Sequence, residues 1–153
     1  MANLTGPAET FPIDSTWRGQ TNTFGIPLGT KARSANGNEY TFVLAGAAIA
    51  AADACRFGGS ATGFDDIRPT SAAAQYVVGA ADGTAFASGD YGFLMTRGVA
   101  TVKVVNATAA LSVLVTNGTA GTLALATASE LAGSRSAVAL VTGVTAGSAV
   151  YIG

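Results

Sequence analysis

The sequence predicts an all-β fold, a small β-barrel or β-sandwich of short antiparallel strands preceded by an extended N-terminal arm. Two observations carry this expectation. From Asn38 onward, short runs rich in aromatic and β-branched residues alternate with Gly- and Asn-containing turns at the spacing of sandwiches and barrels. Before residue 28, Pro7, Pro12 and Pro27 punctuate a stretch without strand or helix periodicity. The chain therefore divides into an arm, residues 1–27, and a single β-rich domain, residues 28–153.

The arm has no means of building its own core, yet it spaces Phe11, Ile13, Trp17 and Phe24 among polar residues, with Arg18 beside the only tryptophan. Large apolar anchors on an extended segment lie on another surface, a neighbouring subunit, a partner or the chain's own domain. These five residues are the candidate partner interface, Arg18 because arginine is the cation favoured at interfaces.

The first strand signal follows Asn36-Gly37, a strong hairpin dipeptide, and covers residues 39–44. Residues 45–54 are ambiguous: alanine favours helix, but flanking glycines and the single Ile49 give no amphipathic period, leaving a short helix or turn open. Residues 76–78 are a second strand candidate, and residues 91–96 and 99–105 read as a hairpin closed by Arg97-Gly98. Shorter runs at 111–115, 123–126, 137–141 and 149–152 are separated by Asn117-Gly118, Gly133-Ser134 and the glycines of 143–147. One phrase occurs twice. Ile49 and Phe86 each stand four positions before an aspartate, Asp53 and Asp90, and a candidate strand follows each. The two hexamers are too little for a repeat protein and read as loop-to-strand entries in which the aspartate bonds nearby amides.

Composition narrows the function. The 153 residues suit one domain. Charged residues make up 11% and hydrophobic ones 49%, with a mean hydropathy of +0.41, so the surface is mostly uncharged. A net charge of -1 offers no footprint for nucleic acid or anionic lipid. The most apolar window, residues 44–52, is too short and too rich in Ala and Gly to span a membrane. The opening residues lack a basic region before an apolar stretch, so no secretory signal is expected and a cytosolic origin fits.

Histidine is absent, which excludes His-based nucleophile activation, metal ligation and acid–base work. A lone cysteine, Cys55, cannot form an intramolecular disulfide and reads as a small buried apolar residue. Neither a phosphate-binding glycine loop nor a Ser-x-x-Lys or Gly-x-Ser-x-Gly setting occurs. What remains is carboxylates: of the nine, Glu39, Asp53, Asp65, Asp66, Asp82 and Asp90 could in principle supply a glycosidase pair or calcium site. The Asp65-Asp66 pair lacks the alternating oxygens of a calcium loop and reads as a solvated turn. No catalytic residue, cofactor or metal is expected.

Leu28-Gly29-Thr30-Lys31-Ala32-Arg33 leading into Asn36-Gly37-Asn38-Glu39-Tyr40-Thr41-Phe42, with the later Gly89-Asp90-Tyr91-Gly92-Phe93, resembles the capsid decoration, or cement, proteins of tailed bacteriophages. The resemblance runs from Leu28 to Gly153 and includes an Ala/Thr/Gly-rich tail. It implies a β-rich structural protein, often trimeric, made in the host cytoplasm. Such a protein binds the major capsid protein on the outer surface of the head and stabilises it against internal pressure. It implies no enzymatic residues. A tail or fibre component is the alternative, binding a host receptor through loops 58–66 and 80–89 with Trp17, Tyr76 or Tyr91 as a stacking face. A carboxylate-based hydrolase is the third reading.

Overall fold

The computed structural model describes residues 25–59, 63–72, 75–83, 85–105, 112–126, 137–139 and 148–152. The arm anchors Phe11, Ile13, Trp17, Arg18 and Phe24 lie outside the described residues. Among the described residues there is no helix. The strands are β1 (Lys31–Arg33), β2 (Glu39–Leu44), β3 (Ala54–Phe57), β4 (Ile67–Pro69), β5 (Gly79–Ala80), β6 (Tyr91–Val102), β7 (Val104–Val105), β8 (Val113–Thr116), β9 (Leu123–Leu125), β10 (Ala137–Ala139) and β11 (Ser148–Ile152).

They join in one ladder ordered β4-β3-β5-β6-β11-β10-β8-β9-β7, with β2 paired to β6 beside this path and β1 paired to β2. The fold is all-β as expected. Its ladder stays open instead of closing into a barrel, and among the strand pairs only β7 and β9 run parallel. The β1–β2 hairpin turns through Asn36-Gly37 and sets Lys31 opposite Thr41 and Arg33 opposite Glu39.

Strand β6 corrects the expected second hairpin. Residues 91–102 form one strand of 12 residues, and Arg97-Gly98 bends it without reversing it. The two halves are held by different partners: β2 pairs from Tyr91 to Arg97, and β11 pairs from Gly98 to Val102. Thr96 is the extra residue of a bulge between the Glu39–Arg97 and Tyr40–Met95 pairs, which re-aims the chain at that point. Gly98 follows at φ 121°, a conformation a side chain rarely adopts. A Cβ there would also overlap the Asn38 carboxamide oxygen, which accepts the Val99 N–H at 3.2 Å.

Residues 76–78 also depart from expectation, because the ladder begins only at Gly79. Val78 N–H donates to the Cys55 carbonyl at 2.9 Å, Val77 enters the core, and Tyr76 points outward. The crossing at β5 is tight enough that a Cβ on Gly79 would overlap the Met95 carbonyl oxygen.

The twice-occurring phrase builds a pair of matched loops. Ile49 and Phe86 form an antiparallel bridge, each N–H donating to the other's carbonyl at 2.9 and 2.8 Å. In each loop the aspartate carboxylate accepts an amide three residues earlier: Ala50 N–H on Asp53 and Ala87 N–H on Asp90, both 2.8 Å. Ala52 and Gly89, one residue before each aspartate, both have positive φ, 66° and 90°. The correspondence extends outward: Ala45 N–H donates to the Asp90 carbonyl at 2.9 Å and Ala81 N–H to the Asp53 carbonyl at 3.0 Å. This network, not a helix, occupies residues 45–53, since side-chain and cross-loop partners satisfy the backbone groups that a helix would pair internally.

Burial divides into three clusters. Met95, Val102, Val104, Leu114, Leu123, Val150 and Ile152 join the two halves of the ladder. Val43, Ile49, Cys55, Ile67, Phe86 and Leu94 lie under the matched loops. Phe42, Phe93 and Ala32 form the third, against which Ile26 and Leu28 pack. Each fully buried large apolar side chain contributes about 1.5–3 kcal/mol.

Candidate functional site

Alternation along β2 brings Glu39 and Thr41, and the interruption of alternation at the β6 bulge brings the adjacent Thr96 and Arg97, to the polar wall of a cleft of about 500 Å³ that Lys31 of β1 also lines. The Thr96 bulge organises this wall. Its hydroxyl meets that of Thr41 at 3.0 Å and donates to the Glu39 carbonyl at 3.4 Å. Arg97 stands next in sequence, 3.9 Å from the Glu39 carboxylate and with 62% of its side chain exposed. The Tyr151 phenol beside it, more than Glu39, holds the guanidinium in its charged form. Lys31 makes no ion pair among the described residues.

Aromatic side chains supply another part of the lining. Phe57 ends β3 and is 40% exposed; Phe64 meets it edge-on at 5.6 Å, and Tyr76 is 69% exposed. Gly29 lets the Phe64 ring approach the turn before β1, and Leu44 N–H donates to the Phe64 carbonyl at 2.9 Å. Ile152 of β11 completes the lining. Chemically the cleft combines aromatic surface with two cations and one carboxylate, a combination suited to a ligand with one apolar face and a polar rim.

Among the described residues, Tyr76 is the sequence-selected stacking residue that lines the cleft. Tyr91 instead stacks on Phe42 with ring centres 6.0 Å apart. Trp17 lies outside the described residues, and among the described residues of the two receptor loops Phe64, in 58–66, lines the cleft. Lys31, Glu39 and Thr41 belong to the segments that carry the sequence resemblance and Arg97 to the Arg97-Gly98 step, but none of them reads in sequence as part of a cleft.

The acids are dispersed. Asp53 is 8% exposed in its side chain, takes the Lys103 ammonium at 2.6 Å and bonds the Ala50 amide; Asp82 accepts Thr101 N–H at 3.0 Å. Asp66 departs from the solvated-turn reading: its carboxylate pairs with Arg68 at 2.7 Å, and the close approach of Gly46 and Gly58 encloses it. Glu39 is the only acid among the described residues lining the cleft. No three metal-ligating acids or cysteines converge among the described residues. Cys55 is fully buried, and burial raises its thiol pKa, with the Asp53 charge adding to the effect. No helix of the described residues is long and apolar enough to cross a membrane.

No protein-family model matches this chain, and no curated protein matches it either.

Proposed function

We propose that this chain is a non-enzymatic virion structural protein, a capsid decoration protein. It binds the major capsid protein on the outer surface of a phage head as a homotrimer. The observation that carries the reading is the pairing of a β-domain of very low charge with an arm whose anchors, Phe11, Ile13, Trp17 and Phe24, have a spacing suited to contact and not to a core. The all-β fold is compatible with the resemblance across 28–153. Exposed Val99, on β6 beyond the cleft residues Thr96 and Arg97, and exposed Leu125 on β9 add apolar surface for neighbouring subunits. Stabilisation is then mass action, in which many copies bind only the mature lattice and shift its equilibrium logarithmically with occupancy. Immunogold labelling of virions tests the placement: label over heads supports it, and label confined to tails contradicts it.

A second reading, a tail or fibre component that binds a host receptor, is favoured by the aromatic cleft with Tyr76 at its rim. Tail-confined label supports that reading.

A further inference from the structure

We infer that the cleft between β1, β2, β6 and the Phe57–Phe64 pair is a binding site for a short carboxylated oligosaccharide. The inference rests on the cleft alone and holds wherever in a virion the chain resides. Three properties of the lining select this ligand class. Volume is the first: about 500 Å³ lies within the range of small-ligand sites and holds two or three sugar rings. Shape of the apolar surface is the second. Tyr76, 69% exposed, and Phe57, 40% exposed, leave aromatic surface open at the cleft, where the C–H face of a pyranose can stack.

Charge is the third. Lys31 and Arg97 outnumber Glu39, so the wall attracts an anion. At 3.9 Å the Glu39–Arg97 contact is longer than a hydrogen bond, and the hydrogen bond to Tyr151 engages only part of the five-donor guanidinium, leaving N–H donors for a carboxylate. Glu39 would repel a plain aliphatic acid, but it accepts hydrogen bonds from hydroxyl groups. A ligand that brings a carboxylate to Arg97 and Lys31, hydroxyls to Glu39 and a C–H face to Tyr76 and Phe57 is a uronic or sialic acid saccharide. Neutral sugars would forgo the charged contact, and acidic peptides would forgo the hydroxyls.

The test is calorimetric titration of the full chain with trigalacturonate and sialyllactose, against lactose and a tri-aspartate peptide as neutral and peptidic controls. The expected result is saturable binding of at least one acidic sugar, at least about tenfold tighter than lactose or peptide, as loss of a charge-assisted contact implies. Tyr76→Ala and Arg97→Gln should each weaken it about tenfold with unchanged circular dichroism, since both side chains are mostly exposed. Added salt should weaken the acidic sugar and leave lactose unaffected. Equal affinity for lactose, preference for the peptide, no saturable binding of either acidic sugar, or insensitivity to both substitutions would overturn the assignment. Because the readout uses soluble sugars and no phage particle, failure here leaves the head-binding proposal separately testable.

Discussion

Replacing Gly98 by alanine probes the joint on which the sheet turns. Three contributions set the expected loss. A side chain at φ 121° stores about 1–3 kcal/mol of backbone strain. The new Cβ displaces the Asn38 carboxamide, removing the 3.2 Å acceptor of Val99 N–H. Val99 is exposed enough for water to substitute in part, so this adds about 1 kcal/mol. Reduced freedom of the unfolded chain returns about 0.4–1 kcal/mol. The net loss is about 1–3.5 kcal/mol, a fall in Tm of about 2–14 °C for a chain of this size. Urea unfolding followed by circular dichroism reads it directly, with Gly118→Ala as control. Gly118 has open space around its Cβ position and no positive φ, so its substitution should stay within about 0.5 kcal/mol of wild type. Wild-type stability in Gly98→Ala would refute the positive-φ conformation and the tight Asn38 contact on which the bend rests.

Other perturbations separate the matched loops and the buried thiol. Asp53→Ala loses the Ala50 amide and the Lys103 ammonium together and should cost about 2–3 kcal/mol, while Asp90→Ala, losing the Ala87 amide, should cost about 1 kcal/mol; equal effects by urea unfolding would contradict the ion pair's contribution. The folded thiol of Cys55 has a pKa raised above 9.0, so the unfolded chain loses its proton first and stability falls as pH rises past that value. The slope should approach ~1.4 kcal/mol per pH unit and vanish between about pH 9 and 10 in Cys55→Ala. Tyr40, raised above 10.0 chiefly by burial, extends the fall at higher pH. Native protein should accordingly take up a thiol reagent only at its unfolding rate, and rapid labelling would show Cys55 to be accessible.

Some of this architecture is legible locally and some is not. Glu39–Leu44 reads as a strand because an Asn-Gly turn precedes aromatic and β-branched residues, and the hairpin it forms needs only the adjoining Lys31–Arg33. The Arg97-Gly98 step misleads for a physical reason. A glycine between an aromatic-rich run and a β-branched run suits a reversal and a bend equally, and the choice is made by remote partners, β2 for one half and β11 for the other. The aspartate phrase around Ile49 and Phe86 is visible as text, but its meaning lies in the bridge between the two copies. For the cleft, Tyr76 is readable as an exposed aromatic, whereas Lys31, Phe57 and Arg97 acquire a shared role only when separate strands converge. The Thr96 bulge that aims Arg97 exists only against Glu39 and Tyr40.

The proposed function meets its most direct test in size-exclusion chromatography with light scattering. The full chain, and a chain beginning at Gly25 that keeps Ile26 and Leu28 on their Phe42–Phe93 cluster, are each run with and without phage heads lacking the protein. A trimer that co-elutes with heads only when the arm is present is the result the account predicts. A monomer that ignores heads, or heads bound equally well by the armless chain, would contradict it.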